Sequence, residues 1–340
     1  MIGHAVVIES RGQAVLKKQD IHPPKAGEVL VENNYSVISA GTEYANLVAL
    51  PNTSTDERGF PWVPGYSAAG RVIAVGEQVE TLEVDDRVVV AWGGHRSHSI
   101  KKARDLVKIE DDAIDLLDAA FAHIASFPLL GVRKLRLELG ESAMIAGLGI
   151  LGAFAVQFAA LVGAIPVVVS DPDPARRALA LKLGASAAFS PSEPGFVDKV
   201  KQATGGHGPN TVVEVTGSAD ALQQALEYIA WEGRIALLGC TRMSDVPIDF
   251  YKYVHRRGIS LIGAHTFTRA KAESAPGRWT EQDDHRTFLK LIAAGKMQTR
   301  PLISEIVSPE HATDVYTRLA ENKTMPLGIV FDWKKFRGKA

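Results

Sequence analysis

The run Gly147-Leu148-Gly149-Ile150-Leu151-Gly152 constrains this chain more than any other stretch. It follows a short apolar segment, Ser142 to Ala146, that reads as a buried strand. It opens a continuous apolar segment, Leu151 to Val162, that reads as a helix. The alternation then continues. Pro166 to Val169, Thr211 to Val215, Arg234 to Leu238 and Ile259 to Ile262 read as strands, and Ala175 to Leu183 and Ala219 to Ala230 as helices. Such alternation implies parallel strands covered by helices on both faces.

The stretch before it has another character. Val- and Ile-rich runs (Ala5 to Ile8, Val29 to Val31, Gly70 to Val75, Arg87 to Val90) are separated by Gly, Pro, Asn and Asp, which suggests an all-β barrel or sandwich. Asp112 to Ala125 has helical spacing and reads as a linking helix. Beyond residue 266 one helix, His285 to Ala294, is followed by strand-like runs at Ile303 to Val307 and Gly328 to Phe331. A length of 340 residues fits about two domains. A first domain over 1–125, a second over 126–265 and a return to the first over 266–340 account for these shifts. The single cysteine, Cys240, excludes an intrachain disulfide and any zinc site built from several thiolates. A formal net charge of −1 argues against nucleic-acid binding driven by bulk electrostatics. No membrane span or secretory leader is visible, so a cytoplasmic location is expected.

Between strand and helix, the glycine run has the context of a dinucleotide-binding turn. Gly147 permits the tight turn, Gly149 lets a pyrophosphate approach the backbone, and Gly152 lets helix and strand pack. The amides of Ile150 and Leu151 at the helix start then face the phosphate charge. Asp171 closes the next strand, 24 residues after Gly147, where an acid can accept from ribose hydroxyls and repel the 2′-phosphate of NADP. NAD is therefore the expected cofactor, with NADP second. The plainer alternative makes Asp171 a cap for the following helix. Arg176 and Arg177, one turn on, either contact the adenosine phosphate region or form a solvated face.

These residues, with Leu183-Gly184-Ala185, Val213 to Ser218, Gly233 to Gly239, Ile38 to Glu43 and Val63 to Gly70, resemble the medium-chain dehydrogenase/reductase superfamily over nearly the whole chain. The resemblance implies an α/β protein: a GroES-like β domain plus a Rossmann domain with a doubly wound parallel sheet. It also implies that Thr216, Gly217, Leu238, Gly239 and Gly263 line the cofactor cleft, and that two copies join through sheet edges near Ile259 to Gly263.

Zinc members of the family carry a Cys, a His-Glu pair and a third ligand at the linking helix. Here those positions hold Ala40, Tyr66-Ser67 and, on or near it, His123. Ala offers no donor atom and Tyr is a poor zinc ligand at neutral pH, so neither catalytic nor structural zinc is expected. Proton transfer then falls to side chains. His123 and Tyr66 flank the old metal position. Thr42 matches the hydroxyl residue that hydrogen-bonds the reacting oxygen in alcohol-oxidising relatives, and Glu43 follows it towards the cleft. His95 and His98 read as a solvated strand.

The polar stretch His265-Thr266, Arg269, Lys271, Arg278-Trp279 and Asp283 to Arg286 either recognises a polyhydroxylated or anionic substrate or forms a surface loop. The leading expectation is a zinc-independent, NAD-dependent dehydrogenase of an alcohol or carbonyl compound, a polyol, sugar or sugar derivative. An NADPH-dependent quinone or enoyl reductase is the alternative, and a non-catalytic cofactor-binding protein the third. The expected partners are a small-molecule substrate and a second copy of the chain, without nucleic acid or membrane.

Overall fold

The computed structural model describes residues 1–244, 246–321 and 326–336. The chain divides into two compact units, Met1–Ile124 with His285–Ala340, and Ala125–Asp284. Along the chain the first unit begins with β1 (Ile2–Ser10), β2 (Gln13–Asp20), β3 (Glu28–Ile38), α1 (Ala40–Leu47), α2 (Ser54–Arg58), β4 (Ser67–Val75), β5 (Arg87–Ala91), β6 (His98–Lys102), β7 (Val107–Lys108) and α3 (Leu116–Ala119). Helix α4 (Ala122–Leu135) carries the chain into the second unit. There follow β8 (Ala143–Ala146), α5 (Ile150–Leu161), β9 (Val167–Ser170), α6 (Pro174–Lys182), β10 (Ala187–Phe189), α7 (Phe196–Ala203), β11 (Thr211–Glu214), α8 (Ala219–Tyr228), β12 (Arg234–Leu237) and β13 (Ser260–Gly263). Helix α9 (Glu281–Ala293) leads back, and β14 (Ile303–Val307), α10 (Ala312–Glu321) and β15 (Gly328–Asp332) complete the first unit.

In the first unit β1 and β2 form an antiparallel hairpin beside a seven-stranded sheet of order β14-β15-β3-β4-β5-β7, with β6 also paired to β3. The return segment is built into that sheet: β15 runs antiparallel to β3, with Ile329 opposite Ile38. One apolar cluster joins Val6, Ile8 and Leu47 to Tyr316, Leu319 and Phe331, so residues from both ends of the chain share one core. The expected single linking helix is two. The hydroxyl of Ser67 donates to the Ala120 carbonyl at 2.6 Å and accepts from the Ile124 amide at 3.3 Å, pinning the break between α3 and α4.

The second unit holds an all-parallel sheet of order β10-β9-β8-β11-β12-β13. Numbered from its own first strand this is 3-2-1-4-5-6, the doubly wound order whose direction reverses between β8 and β11. Strands β8, β9 and β11 are wholly buried, which accounts for their unbroken apolar runs. Helix α5 is apolar on every side for the same reason.

The expected boundary at 266 is corrected to 285. Arg269 holds residues 266–284 to the second unit: its guanidinium donates to the Ser126 carbonyl at 2.5 Å and pairs with Asp284 and Glu281, each at 3.3 Å. Arg133 also binds Asp284 and lies 4.2 Å from the centre of the Trp279 ring. Among the described residues no helix is long and apolar enough to cross a membrane.

Candidate active site

In the second unit the glycine turn lies where the sheet order reverses. Gly147 has φ +95°, a left-handed conformation that suits glycine, and a Cβ there would stand 2.9 Å from Thr216 Cγ2. Thr216 follows β11, so the ends of the two strands meet. A Cβ on Gly152 would collide with the Gly147 carbonyl oxygen, so close packing of helix against turn requires glycine. A Cβ on Gly149 would meet nothing within 4 Å. That open approach faces the start of α5, where the amides of Ile150 and Leu151 have no acceptor within the helix. The cradle fits a pyrophosphate.

Asp171 is buried just beyond β9 and accepts from the Leu148 amide at 2.8 Å and the Asp173 amide at 2.9 Å. It ties the glycine turn to the second strand. The cap of α6 is Asp173, which accepts from the amides of Ala175 and Arg176, so Asp171 is not needed as a cap. Arg176 lies between the two carboxylates, 3.9 Å from Asp171 and 3.7 Å from Asp173. Arg177 donates to the carbonyls of Asp171 and Pro172.

Glu214 was not among the residues singled out from sequence, although it lies in the Val213 to Ser218 run. Buried at the end of β11, it accepts from the Thr216 amide at 2.7 Å, the Thr216 hydroxyl and the Gly217 amide at 3.3 Å. Burial pushes its carboxyl above the usual range, against the hydrogen bonds that favour the charged form. Its own carbonyl accepts from the amides of Leu238 and Gly239. Glu214 therefore fixes both loops, and Thr216, Gly217, Leu238 and Gly239 come together at the ends of β11 and β12. Gly263 ends β13, and its carbonyl accepts from Lys134 at 2.7 Å.

In the first unit, His123 stands in the first turn of α4, fully buried. Its Nδ1 lies 3.0 Å from Nε2 of His285 on α9, which is 2% exposed. The Tyr66 ring is 5.6 Å and the Trp92 ring 4.6 Å from the His123 ring, both edge-on. Trp92 follows β5 at φ +55°, a conformation that costs a bulky residue about 1–2 kcal/mol, and its amide is held by the Tyr66 carbonyl at 2.9 Å. The pairing of His123 with Tyr66 is expected from sequence; the neighbours His285, from the polar stretch, and Trp92 are disclosed by the fold. The signal for Trp92 was its place at the end of a strand, before Gly93-Gly94.

Thr42 is half-buried on α1, and its carbonyl accepts from the Asn46 side chain at 2.9 Å. Among the described residues no hydrogen bond joins it to the histidine pair. The placement of Glu43 towards the cleft is corrected. Glu43 is fully buried and accepts from the Ser39 amide at 3.0 Å, from His95 Nε2 at 3.1 Å and from the Tyr316 hydroxyl. With Nε2 donating, His95 Nδ1 accepts from the Ser36 hydroxyl at 2.8 Å, and Ser36 accepts from the Trp333 indole at 2.9 Å. Burial and the Glu43 charge raise the Tyr316 phenol well above its ordinary value. The reading of His95 as part of a solvated strand is corrected with it, since this loop residue is wholly enclosed. His98, at the start of β6, is half-buried against Ser97. In the polar stretch, Arg269 and Asp284 are buried in the ion network, whereas His265, Lys271 and Arg278 are exposed.

The zinc of the family poorly fits these donors. Of the four positions that would carry ligands, Ala40 has no donor, Ser67 spends its hydroxyl on the Ala120 carbonyl, and Tyr66 is a poor ligand. Only His123 offers a nitrogen, and that nitrogen faces His285 at hydrogen-bond distance. Two nitrogens on a tetrahedral zinc stand about 3.3–3.4 Å apart, given bonds of about 2.0–2.1 Å. Glu281, four residues before His285 on α9, is paired with Arg269.

Residues 25–126 match the alcohol dehydrogenase GroES-like domain, and residues 151–279 match the zinc-binding dehydrogenase family. The chain is 29% identical over 336 residues to 2-dehydro-3-deoxy-L-galactonate 5-dehydrogenase of Pseudoalteromonas atlantica, covering 90% of this chain and 91% of that one. It is 23% identical to sorbitol dehydrogenase of Bacillus subtilis, covering 79% and 80%. A dehydrogenase of Sinorhizobium meliloti solved bound to NADP superposes with a TM-score of 0.82 at 21% identity, covering 98% of this chain and 99% of that one. The glycine cradle at the sheet's reversal point, the GroES-like unit and these matches place the chain in the alcohol dehydrogenase-like medium-chain dehydrogenase/reductase superfamily, as a nicotinamide-dependent oxidoreductase.

Proposed function

We propose that this enzyme is a zinc-independent, NAD-preferring dehydrogenase of a polyol, sugar or sugar derivative, with His123 as its acid/base. The observation that carries this reading is the buried contact of His123 with His285 beside Tyr66, where zinc relatives carry metal ligands. Gly147, Gly149, Ile150, Leu151 and Gly152 would hold the pyrophosphate and Asp171 the adenosine ribose. Thr216, Gly217, Leu238, Gly239 and Gly263 would border the rest of the cofactor. When bound, the nicotinamide supplies the hydride acceptor, or the donor in the reverse direction.

His123 takes the hydroxyl proton as the alcohol becomes a carbonyl, and returns it in reduction. An imidazole titrates near the working pH, and a positioned acid/base contributes about 10²–10⁴-fold. Thr42 and Tyr66 are the hydroxyl groups proposed to orient the reacting oxygen. NAD is favoured because the buried Asp171 carboxylate opposes a 2′-phosphate, while the Arg176 charge is already met by Asp171 and Asp173. The names of the relatives, a sugar-acid and a polyol dehydrogenase, support a polyhydroxylated substrate. The edge strand β13 supports a homodimer as part of the same reading.

The test is a spectrophotometric screen of hexitols, aldoses, sugar acids and sugar phosphates with NAD and NADP, with metal analysis of the same sample. Turnover with NAD by metal-depleted protein is expected. One equivalent of bound zinc that turnover requires would refute the metal-free mechanism.

A further inference from the structure

We propose that His285 is the second member of a two-histidine proton relay, taking on the proton that His123 removes from the substrate and so doing with protein groups what a metal does in zinc relatives. The inference rests on the reading of His123 as the acid/base and adds a second residue to it.

The geometry restricts how this pair can work. Nδ1 of His123 and Nε2 of His285 are 3.0 Å apart, with the rings at 76° and their centres 5.2 Å apart. At that distance one nitrogen donates and the other accepts, so a single proton lies between them. Both rings are buried, and Tyr66 and Trp92 wall one of them. With Nδ1 committed to His285, the nitrogen of His123 that addresses a substrate is Nε2. An imidazolium alone in this enclosed ring is costly, and a second imidazole accepting its Nδ1–H offsets part of that cost.

The proton balance in alcohol oxidation follows. A bound oxidised nicotinamide would take the substrate C–H as hydride while the O–H electron pair closes the carbonyl. The hydroxyl proton goes to Nε2 of His123. The proton on His123 Nδ1 passes to Nε2 of His285. His285, briefly the imidazolium, gives its Nδ1 proton to water. His123 is left neutral in the opposite tautomer. The pair resets when His285 takes a proton from water at Nδ1, its Nε2 proton returns to Nδ1 of His123, and His123 gives its Nε2 proton to water after the product has left, so that one proton is released per turnover. The starting tautomers are fixed by this sequence: His123 carries its proton on Nδ1 and His285 on Nδ1.

His285 is a positioning and relay residue, so its test needs a readout beyond loss of activity. Three variants are compared with the wild type: His285→Gln, whose amide can still hydrogen-bond His123 but cannot carry the charge, His285→Ala and His123→Ala. In ¹⁵N-labelled protein without substrate, a downfield imidazole N–H resonance coupled to one histidine nitrogen and hydrogen-bonded to another is expected. It should vanish in both alanine variants. With the best substrate of the panel above, His285→Gln should lower kcat at least about tenfold with KM and NAD affinity unchanged, and added imidazole should restore part of the rate to His285→Ala. A His285→Gln enzyme with wild-type kcat, while His123→Ala is inactive, would sink the relay and leave the acid/base reading intact. Full activity in His123→Ala would sink both. A metal bound by the wild type and lost in both alanine variants would replace the relay by a metal site.

Discussion

The cofactor end of the second unit and the histidine pair of the first are built by different means. In the second unit, positions are set by backbone: a left-handed turn at Gly147, a carbonyl packed against Gly152, and amides held by Asp171 and Glu214. In the first unit the equivalent work falls to side chains distant in sequence, His123 and His285 being 162 residues apart. Backbone sites tolerate little change in residue size and much change in chemistry. Side-chain sites do the reverse: what matters in them is which groups meet, and His123 and His285 meet only because α9 returns to the first unit.

This contrast can be broken. The largest effect is expected from His123→Ala, which should lower turnover by about 10²–10⁴-fold while NAD affinity, measured by fluorescence titration, stays near normal. A parallel fall in NAD affinity would mean that the two sites are not independent in the way described.

Next comes Arg269→Met. It removes a buried cation that binds Ser126, Glu281 and Asp284, and should cost about 3 kcal/mol in denaturant unfolding. Burial raises the Asp284 carboxyl to about 6, against the pull of Arg269 and Arg133. The fold thus holds this proton more tightly than the unfolded chain does. The stability it contributes is complete below its ordinary value of 3.8 and is lost as pH rises through about 6. Without Arg269 that loss should extend to higher pH, which unfolding curves between pH 4 and 8 would reveal.

Gly152→Ala should weaken NAD binding about tenfold and leave turnover at saturating NAD nearly unchanged, because an added methyl must displace the Gly147 carbonyl at an overpacking cost of about 1–3 kcal/mol. The smallest effect is expected from Asp171→Ala, which should shift the ratio of kcat/KM for NAD over NADP towards NADP by roughly fivefold, about 1 kcal/mol.

The same contrast governs what could be read in the sequence. Strands β8, β9 and β11 are legible because fully buried parallel strands leave largely apolar runs, and the glycine turn because its spacing is itself the signal. β10 was missed: three residues, Ala187–Phe189, carry too little pattern. Helix α1 carries no such signal: it is eight residues long, Ala40–Leu47, with Gly41 and Thr42 in its first turn, and its start overlaps the Ile38 to Glu43 motif. His95 misled because spacing on a strand was assumed for a residue that lies in a loop, and only the fold discloses that Glu43 and Ser36 enclose it. The pairing of His123 with His285 depends on α9 returning to the first unit, and no local pattern carries a contact of that range. Likewise the boundary at 285 depends on Arg269, one residue whose partners lie on two separate helices, α4 and α9.

The enclosed set Ser36, Glu43, His95, Tyr316 and Trp333 has a consequence for synthesis on the ribosome. Its acceptor and donors come from the first hundred residues and from the last thirty. The leading segment therefore emerges with a carboxylate and an imidazole whose phenol and indole neighbours have not yet been translated. The intervening unit, contiguous in the chain, has all its strands translated before the two extremities can meet.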